Sequence, residues 1–337
     1  MADIYKQIDK ALLGLYSTDR RFLEELQEVK AYYEFYEGRP EALEDDLQDD
    51  RGQLWAVKDR DYRPTREIRN LTKKLLKKQG RFMTSVQPTI VVKSVDGVDP
   101  TAVDDKRIAI EKILEDGKFW NKFAKAFMDC TIGKRVLLAL VSEVDEQGKP
   151  VGDAPIKFRF YTMPEFLYEY DPNDCDKLIK VQIAYQDEST VGKLQNEQRW
   201  HKWIYEMRGE TCWCTYMVVD GTNTIAYAEV PNVMSSSIAG EEQDEQQMQQ
   251  IEIKQEWDTG LSCIPCKVIF NDGLTGDVRG HSDIKDLMDM QTDYNKTISD
   301  YRDSLRFAMF DQTVFTDIDT STIEGVVIAP GAIMDVK

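Results

Sequence analysis

From Ser282 to Phe310 the chain carries neither Gly nor Pro, and that run limits what it can fold into more than any other stretch. A short apolar strand, CKVIF, entered through Pro265, leads into it by a connection holding Gly273, Gly276 and Gly280. Ser282 stands where an N-cap belongs, and Asp283 and Asp286 follow where a helix N-terminus favours negative charge. Ile284, Leu287, Met288, Tyr294, Ile298, Tyr301, Leu305 and Ala308 recur at the spacing of one helical stripe. Asp283, Asp286, Asp289, Asp293, Asp300 and Asp303 fall mostly off it. The predicted helix is about 43 Å long. It needs something long to pack against, and no second helix is evident downstream.

A chain of 337 residues has room for a substantial core and for two domains. No apolar run approaches the ~20 residues of a membrane span. The N-terminus, MADIYKQIDKALLGLYSTDRR, is amphipathic and early in acid, unlike a signal peptide, so the expected compartment is a cytoplasm. The 61 acidic against 43 basic residues give a net charge of −18. That balance opposes DNA wrapping, which is driven by Lys and Arg, but not a surface that lets DNA slide past. Its simplest meaning is solubility.

Residues 1–37 read as helical, closed by Gly38 and Pro40, and an acidic loop follows over 41–50. Pro64 opens a basic helix ended by Gly80. Arg66, Arg69, Lys73 and Lys77 share one of its faces, and a solvated face is favoured there over a nucleic-acid contact. PTIVV, at 88–92, reads as a strand, and a third helix covers 101–127 with a break at Gly117. From Lys134 the period switches to two. RVLLALVSEV, PIKFRFYTM, FLYEYD, KLIKVQIAYQ, RWHKWIYEM, TCWCTYMVVD and TIAYAEV are strands separated by turn signals, which indicates an antiparallel meander or a barrel-like sheet. Residues 235–257 form a Gln- and Glu-rich insertion, and β character returns after 310. The fold class is α+β, with predicted parts at 1–133, 134–270, 271–310 and 311–337.

Chemistry is scarce. There is no GxxxxGK[ST], no GxGxxG after a strand, no HExxH and no GxSxG. The only histidines are His201, flanked by Trp in RWHKW, and His281, just before the helix cap. Cys212-Trp-Cys214 and Cys263-Ile-Pro-Cys266 raise a zinc site of four thiolates, yet both pairs lie in apolar, strand-like surroundings. Buried reduced cysteines are the expected state, with no metal, no cofactor and no catalytic residue.

Taken in order, several segments resemble the portal proteins of tailed bacteriophages, of the group related to Bacillus siphophage portals. They are YYEFYEGRP, RNLTKKLLKKQGRFMTSVQPTIVV, FAKAFMDCTIGKRVLLALV with Gly133 as its glycine, and IKFRFYTMPEFLYEYDPNDCDKLIKVQIAY with Pro164 and Pro172 in place. The last is IPCKVIFNDGLTGDVRGHSDIKDLMDMQTDYNKTISDY, whose strand, Asn, Gly, Ser-Asp and long helix match the group's best signature.

The resemblance implies a structural protein of the capsid portal vertex, assembled in the host cytoplasm, whose ring of usually twelve copies passes double-stranded DNA. Its implied partners are the terminase, the major capsid or scaffolding protein and a head-completion adaptor, with no membrane. Residues 1–262 become the wing, a helical part followed by a β-rich part, 282–310 the first stem helix and 311–337 the start of a clip. The six aspartates of the long helix become a candidate DNA-channel face. Ile284, Leu287, Tyr294, Ile298, Tyr301 and Leu305 become a candidate subunit-packing stripe. The family pattern continues with the rest of the clip, a return stem helix, a tunnel loop and a crown, which this sequence is expected to lack. The rival readings are a non-viral α+β scaffold and, further off, a metal-dependent nuclease.

Overall fold

A computed structural model describes residues 20–38, 67–86, 88–93, 100–142, 156–194, 197–220, 227–231, 248–252, 254–272, 279–310, 313–316 and 333–336. Helix α1, Arg20–Glu37, buries Phe22, Leu26, Val29, Tyr32, Tyr33 and Tyr36, the three-and-four spacing of one face. It stops at Gly38, whose positive φ of 75° turns its N–H back onto Glu34 O at 3.1 Å. Contacts divide the chain into two compact units, residues 1–30 with 80–282 and residues 31–79 with 283–337.

The first unit is layered. Helices α3, Pro100–Asp116, and α4, Phe119–Gly133, part at Gly117 and Lys118, the latter with φ of 51°. Strands β1, Arg135–Ser142, β2, Ile156–Thr162, and β10, Cys266–Phe270, form a three-stranded antiparallel sheet in the order β10-β1-β2. A second sheet has five antiparallel strands: β3, Phe166–Asp171, β4, Asp174–Gln186, β5, Arg199–Arg208, β6, Thr211–Asp220, and β9, Lys254–Asp258. They lie in the order β3-β4-β5-β6-β9. Strand alternation builds the core. Leu137, Ala139 and Val268 face Phe166, Val181, Ile183, Cys212 and Cys214 between the sheets. Val136 and Phe160 turn the other way, onto Ala126 and Cys130 of α4. Strands β7, Tyr227–Pro231, and β8, Met248–Glu252, pair as a separate antiparallel ribbon.

The second unit holds the end of α1, the first nine residues of helix α2, Leu71–Met83, and helix α5, Asp283–Met309. Strands β11, Thr313–Thr316, and β12, Ile333–Val336, pair in parallel. Asn70 caps α2, accepting from Lys73 N at 2.8 Å and donating to Tyr36 O at 2.9 Å.

The α+β class holds, and of the two sheet forms expected the open meander is the one that forms, as β3 to β6. Three local expectations change. Gly80 does not end its helix, which runs on to Met83. A Cβ there would meet Met128 Sδ at 2.3 Å, so this glycine serves close packing. Residues 88–93 are irregular and pair with no described strand. Arg69 precedes α2 instead of sharing its face with Lys73 and Lys77, and it pairs with Glu67 at 3.0 Å. Residues 1–19, the acidic stretch 41–50, Arg66 and most of the insertion at 235–257 lie outside the described residues.

Candidate functional site

Helix α5 spans 27 residues, about 40 Å at 1.5 Å each, close to its expected bounds. At about 100° per residue its side chains sort into three sectors. Leu287, Tyr294, Ile298, Tyr301, Leu305 and Ala308 occupy one, about 80° wide. Asp286, Asp289, Asp293 and Asp300 gather in another of about 60°, all exposed. Between them lies the sector the chain buries: Ile284, Gln291, Asn295, Ser299 and Asp303.

That buried sector is mostly polar because it holds a backbone. Residues 67–70 precede α2 without regular secondary structure. Glu67 N donates to Ser299 Oγ at 3.0 Å, Arg69 N to Asn295 Oδ1 at 3.1 Å and Leu71 N to Gln291 Oε1 at 2.8 Å. Gln291 Oε1 also accepts from Thr72 N at 3.1 Å, and its Nε2 donates to Arg69 O at 2.6 Å. The periods match. Two residues advance about 6.6 Å when extended, and four helical residues advance about 6.0 Å. Arg302 closes the far end by pairing with Glu67. Buried backbone groups demand such partners, so the polar ladder is a packing surface.

The sequence-predicted residues therefore divide. Ile284 is fully buried, whereas Tyr301 is 63% and Leu305 42% exposed and Leu287, Tyr294 and Ile298 are half-buried. Asp303, grouped with the acidic face, is only 6% exposed and stands in line with the ladder. Asp283 sits apart on the first turn, its carboxylate accepting from Gln79 Nε2 at 3.2 Å. Gln291, Asn295 and Ser299 were missed. Their signal was a four-residue spacing of uncharged hydrogen-bonding side chains on a helix whose other polar residues are largely charged.

The turn before α5 is built within the first unit. Ser282 Oγ donates to Ile132 O at 2.7 Å, so the residue expected at the cap also ties down the end of α4. His281 N donates to Asn271 O at 2.9 Å, and Asn271 Nδ2 donates back to His281 O at 2.8 Å. Gly280 has φ of 72°, and a Cβ on it would lie 2.5 Å from Lys134 O. Arg135 donates to Arg279 O at 3.0 Å and forks onto both carboxylate oxygens of buried Glu25 at 2.8 Å. Burial raises the Glu25 pKa, but the Arg135 hydrogen bonds and charge, with Lys134 and Arg279, outweigh it and hold the carboxyl below its ordinary value.

Of the four cysteines in the two pairs, Cys212 and Cys214 are core residues, Cys266 is half-buried and Cys263, against expectation, is exposed. Cys212 and Cys214 are buried on β6, and burial pushes the Cys214 and Cys266 thiols up to about 12. A zinc ligand must shed its proton, which this environment opposes. Among the described residues no group of three or more His, Cys, Asp and Glu is arranged to hold a metal. His201 shares a 2.8 Å hydrogen bond through Nδ1 with the Tyr216 hydroxyl. No described helix is long and apolar enough to cross a membrane.

No curated protein matches the chain. The profile of the family described as phage portal protein, SPP1 Gp6-like, matches residues 18–319. The match takes in the described helices, both large sheets and the whole of α5. The chain belongs to the SPP1 Gp6-like phage portal proteins, structural proteins of the capsid vertex that serve DNA packaging.

Proposed function

We propose that this chain is one subunit of a ring of about twelve copies, the closed symmetry usual for such assemblies. In this reading α5 is a stem helix beside a channel for double-stranded DNA, 1–133 and 134–270 are the helical and β-rich parts of a wing, and 311–337 begins a clip. The ring docks the terminase during packaging and a head-completion adaptor afterwards, and it works without a catalytic centre.

One observation carries the assignment of α5. The chain's own packing uses the polar sector, leaving Tyr301 and Leu305 exposed beside half-buried Leu287, Tyr294 and Ile298. Leu287, Tyr294, Tyr301 and Ala308 are seven residues apart in series, as are Ile298 and Leu305. A seven-residue apolar repeat suits a neighbouring helix packed at a shallow left-handed angle. The same helix in the next subunit supplies such a neighbour. The adjacent sector of Asp286, Asp289, Asp293 and Asp300 repels phosphate, so DNA passes without being gripped.

The test replaces Tyr301 and Leu305 together by Lys. Both are exposed in the single chain, so thermal stability of the unassembled protein should move little. Sedimentation velocity should find the ring lost. A variant that still forms rings of the wild-type size removes the seam from this sector.

A further inference from the structure

Strand β2 ends its sheet, and among the described strands it pairs with β1 alone. Leu140 N donates to Pro265 O, on the β10 side, so Leu140 and Phe158 form a non-hydrogen-bonded pair across β1 and β2. Phe158, Phe160 and Thr162 therefore turn their N–H and C=O groups away from β1. Two of these groups are engaged: Phe158 O accepts from Lys122 Nζ at 2.9 Å, and Thr162 N donates to Glu165 Oε2 at 2.7 Å. The N–H of Phe158 and both backbone groups of Phe160 have no hydrogen-bond partner among the described residues.

A cavity of about 740 Å³ borders this edge, between α4 on one side and Tyr185, Asp187 and His201 on the other. Of the four acids that line it, Asp187 accepts from Ser189 N at 2.9 Å, Glu165 also accepts from Thr162 Oγ1 at 2.7 Å and Asp129 is engaged as well, while Glu188 completes the lining. Its donors are not spent. Lys122 uses one of three N–H groups, Arg159 reaches the Tyr161 and Tyr185 hydroxyls, and Lys125 makes no hydrogen bond or ion pair among the described residues. Burial, then the charges of Arg159, Lys118 and Lys157, depress the Lys122 pKa. An anion placed there relieves that crowding.

We propose that the free edge of β2 takes an extended acidic segment of a partner polypeptide as an added strand, its carboxylates meeting Lys122, Lys125 and Arg159. An open edge pairs with alternating N–H and C=O groups about 6.8 Å apart, which a peptide carries and a phosphodiester chain lacks. The inference goes beyond the ring and stands or falls without it.

The test is fluorescence polarisation of a labelled Asp-Val-Glu-Val-Asp peptide titrated with the full chain, paired with amide hydrogen exchange over 156–162. Saturable binding and slowed exchange over those residues are expected, with no binding of the same peptide carrying Lys for each acid. Lys125→Glu should weaken binding about tenfold. Phe160→Pro removes one outward N–H while sparing the ladder to β1, as an edge strand tolerates, and should abolish binding. If that variant fails to fold, Lys125→Glu and the exchange data decide. Absent saturation, equal binding of the basic peptide, or uptake of oligodeoxythymidylate in place of the acidic peptide overturns the proposal.

Discussion

Gln291 ties three backbone groups of the second unit to α5. Its amide accepts from Leu71 and Thr72 and donates to Arg69 O, so it holds the start of α2 and the segment before it. Gln291→Ala leaves the buried Thr72 N–H without its backbone-binding partner, at about 1–3 kcal/mol where water does not replace the amide, while Leu71 N and Arg69 O keep their own 3.1 Å bond. Urea unfolding of the purified chain should register a loss of at least that size, whereas Asp289→Ala, on the exposed sector, should stay within about 0.5 kcal/mol. Glu25 gives the matching test in the first unit. Its folded pKa is depressed, so its pairing with Arg135 stabilises the protein above the ordinary carboxylate range. That contribution is lost as pH falls through the folded value. Stability measured from pH 7 to pH 3 should fall less steeply in Glu25→Gln. At pH 7 the variant should be about 3–5 kcal/mol less stable, because Arg135 is left buried with its partner gone.

At the scale of elements, the turn into α5 is tightly constrained backbone. Gly280→Ala places a Cβ against Lys134 O and Asn271 O at a φ that L side chains rarely adopt. A loss of about 1–3 kcal/mol in chemical denaturation is expected. Much of this layer was legible beforehand. The helix at 283–309 announced itself by its capping residues and unbroken apolar period, and the strands from 135 to 220 by alternation between turn signals. Gly80 misled because a glycine inside a helix looks the same in sequence whether it terminates the helix or admits a neighbouring side chain. Arg69 misled because basic residues at helical spacing continue across Asn70, and only Asn70's side chain marks where the helix starts. The site itself was half legible. Four of the six aspartates do gather on one exposed sector of α5, but Asp303 does not, since polarity alone cannot separate a solvent face from a face that binds backbone.

For the whole molecule, the proposed ring would give one reading to the acidic balance and to the apolar sector of α5, which is partly exposed among the described residues. Reversing charge on the acidic sector, Asp286→Lys with Asp293→Lys, should leave the fold and the assembly intact while slowing DNA passage in a packaging assay. The slowing should lessen as salt is raised, because the added contacts are to phosphate. Unchanged passage at low salt would remove those two positions from the channel wall. If copies of this chain close into a ring as proposed, mass photometry of the purified protein at micromolar concentration will show it. One dominant species is expected, at about twelve times the 38.9 kDa chain mass and appearing as rings by negative stain. A population that remains at the mass of one chain, with no rings, would contradict it.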